Sequence, residues 1–568
     1  MSDRIQSCYM KSYQIRLFIL SLFVLINTSN IFAQANSDIL IKAMEDELSR
    51  SVTQLQLKEL GKPYFVEYGI SDIETFVISA KFGALLSSGI DKTRTASIQV
   101  RIGDYDFDNT NLYSSGAFSS VIPLALDDDY ESIRRDLWLA TDVVYKSTIE
   151  QISSKRAFLQ NNGLEEKLPD FTREKPTISI QPRQKLEVDS AKWDKIVREL
   201  SAVFRKYPEL TESSVTFYAR LENRYLVNNE GTRLREPSLL ISVNIYAETI
   251  PPDNLKITPS RHIFAKQFDK LPNAQELNQT AEKLAQDLTK LRNAPIFDET
   301  YIGPVLFTER ASIQLFSQLL APNFADERRS LSARGGEGGV FAERINRRIL
   351  PPNLSIVDDP TVEEISGYPL IGAYKYDLQG IPAKPLQVVE NGILKTLFST
   401  RVPTKKSQNS NGRARSGQGG PHISNLIIQS KEGKTFAELK QELINSCKAQ
   451  SLPYGMLFRE IDSTFYSTGS SLSPPILAYK VYVEDGREEL VRNISIDDFP
   501  VRELRQLLAV GNDQNSLNHL NGNGQRGIGV PYSVTAPSVL MDEIVLRRDT
   551  STKSKPLILT HPYFDKGK

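Results

Sequence analysis

Histidine is almost absent from this sequence: four residues in 568, His262, His422, His519 and His561, lie far apart along the chain. Zinc and related metals draw on imidazole and thiolate donors, so this scarcity works against a histidine-rich metal centre. Cysteine is rarer still, with Cys8 near the start and Cys447 deep in the second half. An excess of one charge is missing as well, since Lys+Arg and Asp+Glu both number 69. No large net field steers such a chain toward nucleic acid or an anionic membrane. Long hydrophobic runs are lacking too. The apolar stretch at residues 17–26 is broken by Ser21 and falls short of the ~20 residues that span a bilayer.

That stretch has a different meaning in its context. Lys11 and Arg16 precede it, and Ala33-Gln34-Ala35 with polar Asn36 follows. A basic region, a short apolar core and small residues at this spacing predict a signal peptide over 1–35. The mature protein is then expected to be extracytoplasmic, periplasmic or secreted, with no membrane span after cleavage. Cleavage removes Cys8, and Cys447 alone forms no internal disulfide, so the fold is expected to stand on its cores.

The pattern of apolar residues predicts an α+β fold. Helical spacing opens the mature chain over 36–60 and returns at 131–158, where Ile133, Leu137, Ala140, Val144 and Ile152 share one face. Further helices are expected over 193–207 and around Leu277, Ala281, Leu284, Leu288 and Leu291. In 95–102, Ala96, Ile98, Val100 and Ile102 alternate with polar residues, the period of a half-buried strand. Strand-like runs at 214–221 and 239–246 are joined through Asn228-Asn229-Glu230-Gly231, which has turn chemistry. Residues 160–190 read as a connecting segment.

After Pro295, short apolar runs separated by Gly, Pro, Asn and Ser predict a strand-rich region. Thr435 and Glu438 form a capping box before a helix that carries Cys447 on its apolar face, a buried core position. A second helix is expected over 501–510, opened by Pro500 and closed by Gly511. The reading is an α/β N-terminal domain with its central segment over 36–300, followed by a mainly β C-terminal domain over 301–568.

Several segments together resemble the TldD/PmbA family of metallopeptidases and their non-metal partners. In the first half they are Val100-Arg101-Ile102-Gly103-Asp104-Tyr105, Lys155-Arg156-Ala157-Phe158 and Asn229-Glu230-Gly231-Thr232. The second half supplies Gly303-Pro304-Val305-Leu306-Phe307, Tyr376-Asp377-Leu378-Gln379-Gly380 and Val389-Glu390-Asn391-Gly392-Ile393-Leu394-Lys395. Ser424-Asn425-Leu426, Asp485-Gly486 and Thr535-Ala536-Pro537-Ser538 complete the series. No single tetrapeptide is specific; their order over most of the chain carries the resemblance.

The resemblance implies a zinc peptidase scaffold, in which a helix after an apolar strand carries HExxxH and a distant cysteine adds a ligand. The open fourth position on such a zinc activates water. Here the corresponding stretch reads Thr308-Glu309-Arg310-Ala311-Ser312-Ile313. Glu309 matches the general-base position, whereas Thr308 and Ile313 replace the two histidines, and isoleucine has no donor atom. The family's cysteine is expected shortly before a Gly-Gln pair, but Gly524-Gln525 follows Leu520-Asn521-Gly522-Asn523. No metal ligand and no cofactor are therefore expected, and Glu309 is expected to pair with Arg310 or a nearby cation. His422 and His519 are expected in surface loops, Arg334-Gly335-Gly336-Glu337-Gly338-Gly339 in a mobile connection, and residues 405–420 in a solvated loop.

By resemblance the chain is a metal-free partner or peptide-binding subunit of a metallopeptidase-type assembly, a homo- or hetero-oligomer of TldD/PmbA type. Peptide or unfolded polypeptide is the expected ligand, held at strand edges through backbone hydrogen bonds. Two alternatives stand beside it: an active peptidase with an altered zinc site, and a secreted structural or interaction protein that keeps only the fold.

Overall fold

The computed structural model describes residues 38–56, 61–113, 119–165, 167–333, 340–416, 419–462, 472–522 and 529–550, with 554, 555, 557 and 559. The first half is a seven-stranded sheet. Its strands are β1 (Pro63–Lys81), β2 (Ala84–Ile102), β3 (Ser119–Pro123), β4 (Ile178–Ile180), β5 (Leu210–Asn228), β6 (Arg233–Thr249) and β7 (Ser260–Ala265), in the order 3-2-1-5-6-4 with β7 on β6. The alternation at 95–102 forms the buried end of β2, and Ala96, Ile98, Val100 and Ile102 face the core. β5 and β6 make the expected hairpin, longer than the apolar runs alone suggested because polar residues alternate along both strands.

Helices cover one face of this sheet. They are α1 (Ile39–Gln54), α2 (Tyr130–Asn162), α3 (Ser190–Ala202) and α4 (Ala274–Asn293). Asp38 caps α1, Asp129 caps α2 and Asn273 with Glu276 makes a capping box on α4, satisfying amide groups that lack intrahelical partners. Val66, Tyr68 and Ile70 of β1 join the core under α1 and α2, while Phe76, Ile78 and Ala80 join the core under α3 and α4. Successive even positions of a strand share a face, so both cores lie on the same side of one strand. Between them stand Asp72 and Glu74. Arg94 and Arg183 hold Asp72 at 3.0 and 2.5 Å, and Lys92 with the Leu186 amide holds Glu74 at 2.8 and 2.9 Å.

The odd-numbered positions of β1 face away from those helices. With their cross-strand partners they make a largely polar surface that carries Glu67, Ser71, Ser97, Gln99, Arg224 and Glu236. The second half of the chain lies against this surface.

That half contains two further large sheets. One is built from β8 (Tyr301–Phe307), β13 (Tyr454–Ile461), β14 (Pro475–Tyr482), β15 (Glu488–Val491), β16 (Ile494–Ile496), β17 (Leu507–Val510) and β20 (Val539–Arg548). The other is built from β9 (Leu354–Asp358), β10 (Leu386–Glu390), β11 (Ile393–Leu394), β12 (Asn425–Ser430), β18 (Asn515–Asn521) and β19 (Val530–Ala536). Helix α5 (Glu309–Leu319) lies in the core between them, with Val305 and Phe307 on one side and Ile356, Leu426 and Val534 on the other. Helix α6 (Phe436–Ala449) carries the expected Thr435–Glu438 capping box and covers the opposite face of the first of these sheets, against Leu306, Leu457 and Leu540.

One expected helix is absent. Residues 501–510 form a short 3-10 turn, Val501–Gln506, followed by strand β17, which pairs with β20. Leu507–Val510 is short and apolar, and such a run suits a buried strand as well as a helix until its hydrogen-bonding neighbour is known.

Candidate functional site

Strand β8 runs into helix α5, the unit in which the family resemblance places the metal. Thr308 is 3% and Ile313 1% exposed. The Thr308 amide donates to the Phe458 carbonyl at 2.9 Å, with its hydroxyl 3.4 Å from the same oxygen, and Ile313 is part of the core between the sheets. Glu309 begins the helix with φ +50°, a left-handed conformation that L residues rarely adopt. Its side chain is 55% exposed and accepts from Arg459 at 2.5 Å. Arg459 also donates to Glu488, which Lys440 of α6 holds in turn. Glu309 thus takes Arg459 as its cation, and Arg310 pairs with Glu460 instead, Nε to Oε1 at 3.2 Å.

These residues do not fit a zinc ion. Ile313 offers no donor and the Thr308 hydroxyl is turned to a carbonyl. Cys447 lies in the core on the far face of the β8 sheet, away from α5, as the helical spacing implied. Burial pushes its thiol up to about 11, so the thiolate that zinc prefers is disfavoured. Among the described residues no three His, Cys, Asp or Glu side chains gather in an arrangement that could hold a metal.

The histidines supply an unexpected feature. His519 does not sit in a surface loop; it stands on β18, half-buried, and stacks on Tyr532 with ring centroids 4.9 Å apart and planes 13° apart. His422 approaches the same tyrosine edge-on at 5.3 Å. Its Nδ1 lies 3.0 Å from the Ile423 carbonyl and its Nε2 2.8 Å from Asn521 Nδ2. The carbonyl only accepts and the amide nitrogen only donates, so the ring is the neutral tautomer with its proton on Nδ1. Burial and Arg415 push His422 down to about 4. His262, on β7, belongs to the electrostatic surroundings of His519 together with Arg310, and burial with these charges pushes His519 down to about 3. Residues hundreds of positions apart therefore meet where the first sheet touches the second half.

Four of the segments that carried the resemblance, 100–105, 155–158, 229–232 and 376–380, also gather about this seam. Arg101 and Arg401 both lie over the Phe171 ring, at 3.7 and 4.0 Å. Arg101 donates to Asp108 at 2.7 Å and Lys155 to Asp170 at 2.5 Å. Glu230 accepts from Tyr105 and from Arg401, each at 2.7 Å. Across the seam, Arg224 donates to the Asp377 and Tyr376 carbonyls at 2.8 and 3.1 Å, and on the second-half side Gln379 accepts from the Arg401 amide at 2.9 Å. Within 405–420, Lys405, Lys406, Gln408 and Asn409 are exposed as a solvated loop would be, but Gly412 to Ala414 depart from that expectation and are buried. Arg413 is fully buried and donates to Asp358 at 2.6 Å, and Arg415 lies over Tyr374 at 4.6 Å. A buried guanidinium needs such a partner to offset its desolvation.

A cavity of about 80 Å³ opens on the polar sheet face, lined by Glu67, Ser71, Ser97, Gln99, Arg224 and Gln379 among others. Burial pushes the Glu67 carboxyl up to about 6, against the hydrogen bond from Asn228. The predicted signal peptide, residues 334–339 and the Gly524-Gln525 pair lie outside the described residues.

Residues 299–548 match the family described as the PmbA/TldA metallopeptidase C-terminal domain. A metalloprotease from Methanothermobacter thermautotrophicus is 27% identical over 179 residues, 31% of this chain and 36% of that protein. A metalloprotease from Methanocaldococcus jannaschii is 33% identical over 78 residues, 13% of this chain and 16% of that protein. The matches thus span well under half the length of these relatives. TldE from Thermococcus kodakarensis superimposes with a TM-score of 0.56 at 14% identity, over 89% of this chain and 100% of TldE. At that identity the likeness concerns the fold.

Proposed function

We propose that this chain is a metal-free, peptide-binding subunit of a metallopeptidase-type assembly of TldD/PmbA type: residues 299–548 match the PmbA/TldA metallopeptidase C-terminal domain, yet α5 begins with neither an imidazole nor a thiolate donor. The observation that carries the reading is the pair Thr308 and Ile313: one hydroxyl committed to a carbonyl and one aliphatic side chain in the core. Glu309, the family's general-base position, holds an arginine on the surface. The chain therefore holds substrate and leaves water activation to another subunit.

Strand edges support the peptide-binding half of the reading. Among the described residues β7 pairs with β6 alone, and β3 covers β2 from Thr95 to Gln99. An extended peptide adds to such edges through backbone hydrogen bonds that are indifferent to sequence. The stretch from Lys11 to Ala35 supports an exported, periplasmic or secreted location.

The experiment is elemental analysis of the purified protein after dialysis without chelator, alongside affinity purification of the tagged chain from its own cells. Expected are zinc far below one equivalent and co-purification of a family member with an intact HExxxH. Stoichiometric zinc that is lost in Glu309→Gln or Cys447→Ser would overturn the metal-free reading.

A further inference from the structure

Arg310 stands at the seam with its charge only partly answered. The acidic side chain beside it is Glu460, and Arg261 of β7 already grips both oxygens of that carboxylate, Nη1 to Oε1 at 2.7 Å and Nη2 to Oε2 at 2.8 Å. Arg310 reaches only Oε1, through Nε at 3.2 Å and outside hydrogen-bond geometry. Two guanidiniums therefore share one carboxylate that is 4% exposed, while the Arg310 side chain is 27% exposed. Strand β18, which carries His519, packs against both α5, which carries Arg310, and β7, which carries His262, and the Arg310 charge acts on both imidazoles. Arg310 Nε and His519 Nε2 are buried nitrogens with no hydrogen-bond partner among the described residues.

Leaving such groups unmet is costly in a folded protein. Three separate elements, β7, α5 and β18, bring them to one place, so the arrangement is not a by-product of one local turn. Burial and the neighbouring arginine hold both imidazoles below their ordinary value. They are neutral at ordinary pH, and a neutral imidazole can still donate one hydrogen bond. A planar anion with two acceptor oxygens matches a guanidinium fork beside a neutral N–H donor. Phosphate would bring a second negative charge toward Glu460, whereas a carboxylate brings one, equal to the single excess cation.

We propose that Arg310, with His519 and His262 beside it, forms a carboxylate-recognition site at the seam. It takes the C-terminal carboxylate of a bound peptide, or an acidic side chain of one. The inference rests on the peptide-binding reading above and gives that reading an anchoring point. The adjacent residues Glu309 and Arg310 then divide their tasks: Glu309 is tied to Arg459 on the surface, and Arg310 faces the ligand.

The test is calorimetric titration of the purified protein with three probes. They are N-acetyl-tetraalanine as the free acid, the same peptide as its C-terminal amide, and N-acetyl-Ala-Ala-Glu-Ala amide. The free acid is expected to bind about tenfold or more tightly than the amide. Arg310→Gln should erase that preference and Arg310→Lys should retain part of it, with circular dichroism confirming that both variants fold. If the glutamate-containing amide matches the free acid, the site stands and its source is a side chain. Equal binding of acid and simple amide by the wild type overturns the carboxylate site while leaving peptide binding intact. Binding of none of the three overturns both. A preference that survives Arg310→Gln places the carboxylate elsewhere and also overturns the proposal.

Discussion

Arg401 lies 4.0 Å above the ring of Phe171, and its Nη2 donates to the Thr172 carbonyl at 2.5 Å and to Glu230 at 2.7 Å. One side chain from the second half of the chain thus closes a cage of aromatic, carbonyl and carboxylate groups from the first. Arg401 is 1% exposed and Glu230 9%, so neither charge can turn to water once the other is removed.

Arg401→Ala is therefore expected to cost about 3 kcal/mol or more, since it leaves Glu230 buried and unpaired. Adding Glu230→Gln should recover part of that loss, because the stranded charge is gone. Urea unfolding of the two single variants and the double variant measures the coupling. A loss below about 0.5 kcal/mol for Arg401→Ala would show that the cage contributes nothing.

Glu309 offers a test with an unusual sign. In a helix, glycine is ordinarily about 1 kcal/mol worse than alanine. At φ +50° an L residue pays roughly 1–2 kcal/mol that glycine avoids. Both Glu309→Gly and Glu309→Ala lose the exposed pair with Arg459, so that loss cancels between them. Glu309→Gly is expected to be the more stable of the two in thermal unfolding. The opposite order would mean that this residue is not held in the left-handed region.

Glu67 predicts a pH dependence. Its carboxyl rises from 4.5 to about 6, chiefly through burial, so the folded state holds the proton more tightly than the unfolded chain. The stabilising contribution is complete below 4.5 and is lost as pH rises through about 6. Glu67→Gln removes that loss. It should stabilise the protein by about 1 kcal/mol near neutral pH, a value discounted because the cavity partly wets the carboxyl. Below about pH 4 the variant and wild type should unfold alike. Equal stability of the two across the whole range would show that Glu67 is solvated as an ordinary surface acid.

Local chemistry made much of the fold legible. The alternation of Ala96, Ile98, Val100 and Ile102, the turn at Asn229-Glu230-Gly231 and the Thr435–Glu438 cap each act within a few residues, and each formed as expected. Asn391-Gly392 likewise turns β10 into β11, with both residues at positive φ. Leu507–Val510 resisted because its partner, β20, is far along the chain.

The seam was hidden for the same reason. Across it Arg261 and Glu460 are 199 residues apart, and within the second half Arg413 and Asp358 are 55 apart. No sequence period links such residues, so the arginines of 405–420 read as solvated and the histidines as scattered. The single local clue was Arg310 directly after Glu309, two opposite charges at a helix start that fold away from each other.

The paired charges at Asp72 and Glu74 divide the helix-covered face of β1 into two apolar patches, each under its own pair of helices. Regions with separate cores open with separate free energies. The amides of Val66 to Ile70 and those of Phe76 to Ala80 should therefore exchange with solvent on different schedules, although they belong to one unbroken strand. The long strands of the first half then serve as rails between two melting units, and damage beneath one pair of helices need not loosen the other.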